Sequence, residues 1–106
     1  MYLKEEYSYV MAVYSMIYTT GLDVIIEDNT SKGRIDMSVM VDKKVVYIIE
    51  FKVLEKEEEK GKALKQIKEK EYFKKYLNYQ KIYLVGIEFD KISKNLVNFE
   101  YELLIT

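Results

Sequence analysis

The 106-residue chain has no cysteine, no histidine, no proline and no tryptophan. Without cysteine it can form neither disulfides nor thiolate metal sites. Without histidine it has no imidazole ligand and no His-based acid–base catalyst. Its chemistry must therefore use carboxylates, lysines, tyrosines or backbone groups, and an all-oxygen ligand set favours Mg²⁺, Mn²⁺ or Ca²⁺ over zinc. Long apolar runs are missing too. No stretch approaches a membrane span and the N-terminus lacks a signal-peptide layout, so the expectation is a cytoplasmic domain with no membrane partner. A basic surplus is also absent, with 17 Lys and Arg against 18 Asp and Glu for a formal charge of −1. That argues against strong free-standing binding to nucleic acid, which leans on phosphate neutralisation, unless charge is segregated by face. Richness in Lys, Ile, Tyr and Asn without Pro or Trp points to an AT-rich coding sequence rather than to a function.

What is present amounts to one domain, residues 1–106, with a hydrophobic share of 49% and a charged share of 33%. Its most informative stretch is Gly33-Arg34-Ile35-Asp36-Met37 followed by Val45-Val46-Tyr47-Ile48-Ile49-Glu50-Phe51-Lys52-Val53. Both runs are β-branched, aromatic and apolar, the composition of buried strands. A break at Asp42-Lys43-Lys44 makes them a hairpin. Glu50 and Lys52, two apart, share a face. A three-residue turn pairs Val41 with Val45 and sets Asp36 opposite Glu50, with Cβ atoms about 4.5–5.5 Å apart. Opposed carboxylates repel, so one keeps a proton unless a cation lies between them. Lys52 offers one charge and a divalent metal two; Mg²⁺ uses one or two carboxylates plus waters and phosphate oxygens. An ion-paired strand end is the plainer alternative. A slip of one residue would send Asp36 to the other face.

Asp36 with Glu50-Phe51-Lys52 resembles the D…ExK signature of the PD-(D/E)XK nuclease superfamily. Four blocks in order extend the likeness over nearly the whole chain: Gly33-Arg34-Ile35-Asp36, Tyr47 to Val53, Ala63-Leu64-Lys65-Gln66-Ile67, and Leu84-Val85-Gly86-Ile87-Glu88-Phe89. They resemble the nuclease-like domain found C-terminal to predicted AAA-type ATPases. The resemblance implies a restriction-endonuclease-like αβββαβ core: a mixed sheet flanked by helices, here with an extra antiparallel C-terminal strand.

Taken in order, Lys4 to Tyr18 reads as an amphipathic helix, with Leu3, Tyr7, Val10, Met11, Tyr14, Ile17 and Tyr18 on one face. Glu5 and Glu6 suit its first turn through the helix dipole. In the resembling family a glutamate of this helix lies near the metal, and Glu6 is the better match, although the family's following histidine is absent. Leu22 to Glu27 reads as a short strand and Asp28 to Gly33 as a polar loop, with Gly33 supplying a backbone geometry closed to other residues. Arg34 either contacts a phosphate or pairs with Glu27. Glu55 to Lys62 reads as a solvated stretch. A second helix is expected from Gly61 to Asn78, with Ala63, Ile67, Phe73 and Leu77 on one side and Tyr72 on the far side. Gln66 and Lys70 fall on the apolar side. Either their stems snorkel along the sheet, or they reach the carboxylates, as the Gln of this helix does in the resembling family. Strands follow at Gln80 to Asp90 and Asn95 to Ile105. The crossover makes the strands containing Glu50 and Val85 parallel. The eleven tyrosines suit core and interface filling better than base stacking.

Two functions of different class follow. In the first, the chain is a Mg²⁺- or Mn²⁺-dependent nuclease, a hydrolase of DNA or RNA with DNA favoured. Asp36, Glu50 and the Phe51 backbone carbonyl hold the metal; Lys52 and Gln66 complete the catalytic set, with Glu6, Lys70 and Arg34 as accessories. In the second, it is a catalytically silent interaction module, either a homodimer or an accessory domain of an ATPase.

Overall fold

The computed structural model describes residues 4–56 and 59–104. The expectations for Leu3, for residues 57 and 58 and for Ile105 lie outside them. Helix α1 (Lys4–Tyr18) leads into strands β1 (Asp23–Thr30), β2 (Gly33–Val41) and β3 (Val45–Leu54). Helix α2 (Lys62–Lys70) and a 3₁₀ helix (Tyr72–Tyr76) cross over to β4 (Lys81–Asp90), and β5 (Leu96–Leu104) closes the chain. The five strands lie in the sheet in sequence order; β3 and β4 are parallel and every other neighbouring pair is antiparallel. This is the α/β arrangement of a restriction-endonuclease-like PD-(D/E)XK fold, with the additional antiparallel strand at its edge.

Each face of the sheet carries its own apolar layer, because side chains alternate along a strand. Val10 of α1 packs with Met37, Val39, Ile49, Phe51 and Val85 on one face. Ile67, Tyr72 and Tyr76 pack with Ile35, Met40, Val46, Ile48, Ile82 and Leu84 on the other. The face of α1 is narrower than its spacing suggests: Tyr7 and Tyr18 are exposed, while Val13 joins the core layer. Tyr9, outside the expected stripe, stacks on Phe89 with ring centres 3.9 Å apart.

The β2–β3 turn is the three-residue one, closed by a bond from the Lys44 N–H to the Val41 carbonyl, with Asp42 and Lys43 at positive φ. Val41 faces Val45 and Met37 faces Ile49. The next step along the same register brings Asp36 opposite Glu50.

Two segments depart from expectation. β1 does not stop at Glu27 but continues to Thr30, so the polar run 28–33 is mostly strand with a two-residue turn. Asp28 is the reason: it is buried, and its carboxylate accepts from Ser38, Tyr76 and Lys75, so a polar residue is held inside the sheet. The second helix is shorter than expected. It ends at Lys70, Glu71 takes a left-handed conformation (φ 54°), and the chain resumes as a 3₁₀ turn. A single 100° projection across Glu71 therefore fails. Leu77, expected inward, is exposed, and Tyr72, expected outward, is buried.

Candidate active site

Asp36 sits at an irregularity. The β1–β2 ladder pairs Ile26 with Met37 and Asp28 with Ile35, and skips Glu27 and Asp36 between them. Glu27 has a positive φ of 52°. Residues two apart in an unbroken strand share a face, yet Ile35 packs on the α2 side and Met37 on the α1 side. Such local breaks in a ladder re-aim side chains and are over-represented beside functional sites. Here the break frees Asp36 to bond across to β3, where its Oδ2 accepts from the Phe51 N–H at 2.9 Å.

Glu50 and Lys52 follow the alternation of β3. Glu50 is 3% exposed, on the α2 side, and its Oε1 accepts from Gln66 Nε2 at 2.7 Å. Gln66 can reach because α2 lies unusually close to β4. A Cβ built on Gly86, the neighbour of Glu50 across the parallel pair, would come 2.7 Å from the Leu64 nitrogen. Glycine is what lets the helix sit down there. The start of α2 has Gly61 as its N-cap, with no side-chain cap of its own. Glu88 of β4, fully buried, supplies one: its carboxylate accepts from the Gly61 N–H at 2.7 Å and the Ala63 N–H at 3.0 Å. Asn98 of β5 donates to the same carboxylate at 2.6 Å. A negative side chain on orphan N–H groups at a helix start is favourable both as hydrogen bonding and through the dipole.

Glu6, Glu27, Arg34, Asp36, Glu50, Phe51, Lys52 and Gln66 line one cleft of about 280 Å³. At about 30 Å³ per water, it has room for a hydrated ion. Arg34 pairs with Glu27 at 3.1 Å on the rim, the pairing alternative of the two its sequence position allowed. Lys70 does not join: it is the exposed last residue of α2 and lies outside the cleft, because the helix stops before it can reach over the sheet. Two residues near the site carry no sequence expectation. Tyr72 is hydrogen-bonded with Gln66 and feels the charges of Glu50 and Asp36; Glu88 holds the helix that carries Gln66. A charged residue inside the otherwise apolar Ile82–Phe89 run, and a helix beginning at glycine without a Ser, Thr, Asp or Asn cap, were the available signals for Glu88.

Electrostatically the cleft is short of positive charge. Burial, reinforced by the charge of Glu6, raises the Asp36 carboxyl to about 6 despite the Phe51 N–H bond and the Lys52 charge. Burial and then the Asp36 charge raise Glu50 to about 9. Near neutral pH the pair thus holds a proton between its two members, the behaviour of carboxylates sharing a site without a cation. Oε2 of Glu50 is buried and has no hydrogen-bond partner. A buried acceptor without a partner is costly, and a hard cation would satisfy it. Among the described residues no three acidic groups form a ready-made cage. Two carboxylates and a carbonyl, with waters filling the remaining positions, fit Mg²⁺ or Mn²⁺ better than a fully protein-ligated Ca²⁺.

Comparison with known proteins places these features in a family. A protein of Azotobacter chroococcum mcd 1, known only as an uncharacterized protein in the vnfD 5′ region, is 44% identical over 102 residues. That match covers 95% of this chain but 19% of the relative, so the chain spans about a fifth of the relative's length. The family model of the PD-(D/E)XK nuclease superfamily matches residues 4–99, from the start of α1 to the middle of β5. The chain belongs to the PD-(D/E)XK nuclease superfamily.

Proposed function

We propose that this domain hydrolyses phosphodiester bonds of nucleic acid, DNA in the first instance, with Mg²⁺ or Mn²⁺ bound in the cleft. The observation that carries the reading is the partnerless, buried Oε2 of Glu50, set beside Asp36 with Lys52 on the same cleft wall. Nucleases of the superfamily generally use divalent metals. Asp36, Glu50 and the Phe51 carbonyl would hold the ion. When bound, it supplies Lewis-acid polarisation of a phosphate oxygen and a lowered pKa for water. Lys52 positions the attacking water and offsets the charge that builds on the phosphate during attack, an electrostatic role that acts strongly in a cleft partly screened from solvent. Gln66, anchored on Glu50, orients that carboxylate and presents its amide to water or phosphate. Glu6 adds a third negative charge at the edge of the ion's position.

The test is incubation of purified protein with DNA and with RNA, each with Mg²⁺ or Mn²⁺, beside an Asp36→Ala control. Cleavage that requires both the metal and Asp36 is expected; absence of such cleavage on every substrate sinks the proposal.

A second reading rests on a different surface. Leu96, Phe99, Tyr101 and Leu103 of the edge strand β5 are 42–66% exposed, and the relative is about five times longer than its matching part. Both support a module that docks on another protein, either a second copy or an ATPase. Calorimetric titration with Mn²⁺ separates the readings. Binding abolished by Glu50→Ala supports the nuclease, and no binding at millimolar metal supports the module.

A further inference from the structure

Tyr72 is 4% exposed, although the residues on either side of it, Glu71 and Phe73, are more open. The left-handed turn at Glu71 swings it inward, where its ring packs with Ile35, Ile67 and Tyr76. The ring lies over Gly33; a Cβ there would stand 3.4 Å from Cε1 and 3.5 Å from the hydroxyl oxygen. Gly33 and Tyr72 therefore fit as a pair, and the pairing aims the phenol toward the Gln66 amide. Gln66 in turn donates to Glu50. An amide has two chemically different ends. Contact with Glu50 alone leaves it free to rotate, whereas a second partner fixes it.

We propose that Tyr72 is a positioning residue of this site, its hydroxyl holding the Gln66 amide so that Nε2 faces Glu50. Burial and the nearby Glu50 charge both raise the Tyr72 pKa, which keeps its proton in place and suits a role as a neutral hydrogen-bonding group. Partners one step removed from a ligand set its orientation and tune affinity, and their loss typically costs 10–100-fold in metal binding. The metal part of the inference rests on the proposed function; the amide part does not.

Tyr72→Phe keeps the ring and removes only the hydroxyl, so the core layer is retained. In metal-free protein, the Gln66 side-chain amide protons are expected to give two shifted, slowly exchanging NMR signals. In Tyr72→Phe they move toward free-amide positions and exchange faster with water. The second measurement is Mn²⁺ affinity by calorimetry in a double-mutant cycle. Tyr72→Phe weakens Mn²⁺ by about tenfold in the native background and by less than about twofold in Gln66→Leu, since the two act through one chain of contacts. Unchanged Gln66 signals, or an equal loss of affinity in both backgrounds, overturns the proposal. Should the native protein bind no Mn²⁺, the metal reading falls, and the amide signals alone decide the role of Tyr72.

Discussion

Glu50 occupies a position where an uncharged side chain of the same shape would be more comfortable. It is buried, faces another carboxylate, and leaves one oxygen without a partner. Groups of this kind lower stability in exchange for chemistry. Glu50→Gln is therefore expected to raise the thermal midpoint of the metal-free protein at pH 8, by about 4–8 °C for each kcal/mol of relieved repulsion, while abolishing metal binding. Calorimetric scans with chelator present check the first part. The pH dependence follows from the same pair. Both folded-state pKa values lie above the unfolded ones, so the folded chain binds more protons than the unfolded chain. The stability contributed by these two groups is full below about pH 4 and is lost as pH rises through about 6 and then about 9. Metal-free midpoints should fall between pH 5.5 and 8.5, and an Asp36→Asn, Glu50→Gln double variant should flatten that slope. These residues were legible from spacing alone, because a two-residue period and a three-residue turn suffice to set Asp36 against Glu50. Tyr72 was not legible. Its placement depends on one left-handed residue, Glu71, and neither propensity nor periodicity announces a non-glycine at positive φ.

At the scale of elements, the helix carrying Gln66 is positioned from outside itself. Gly86 makes room for it and Glu88 caps it. Gly86→Ala should push α2 off the sheet, costing roughly 1–3 kcal/mol as overpacking does, and should weaken Mn²⁺ binding by withdrawing Gln66 from Glu50. Denaturant titration and calorimetry report the two effects. Lys70→Ala serves as the contrast: an exposed residue outside the cleft should change stability by no more than about 0.5 kcal/mol and leave metal affinity alone. Helix and strand order could be read from apolar periodicity, as could the parallel crossover and the long first helix, because each rests on ten or so residues in agreement. The stop at Lys70 and the extension of β1 to Thr30 rest on single buried contacts made by distant residues, such as Asp28 with Tyr76. Local pattern does not contain them.

For the whole molecule, the metal-binding and folding equilibria are linked. An ion that binds the folded chain alone stabilises it by about 2.7 kcal/mol at a concentration 100 times its dissociation constant. Because protons compete for the same two carboxylates, the midpoint gained on adding Mg²⁺ or Mn²⁺ should be larger at pH 8 than at pH 5.5. An equal gain at both would mean that the ion binds elsewhere.

The cap on α2 has a further consequence for how the domain is made. A nine-residue helix is too short to persist in water unaided, and the carboxylate that completes its first turn is itself held by Asn98 near the chain's end. The catalytic wall therefore cannot be assembled on a nascent or clipped chain. A ribosome that has released everything up to Asp90 has synthesised every ligand of the proposed ion and still lacks the last strand that locks them in place, so an emerging chain stays chemically silent until β5 joins the sheet.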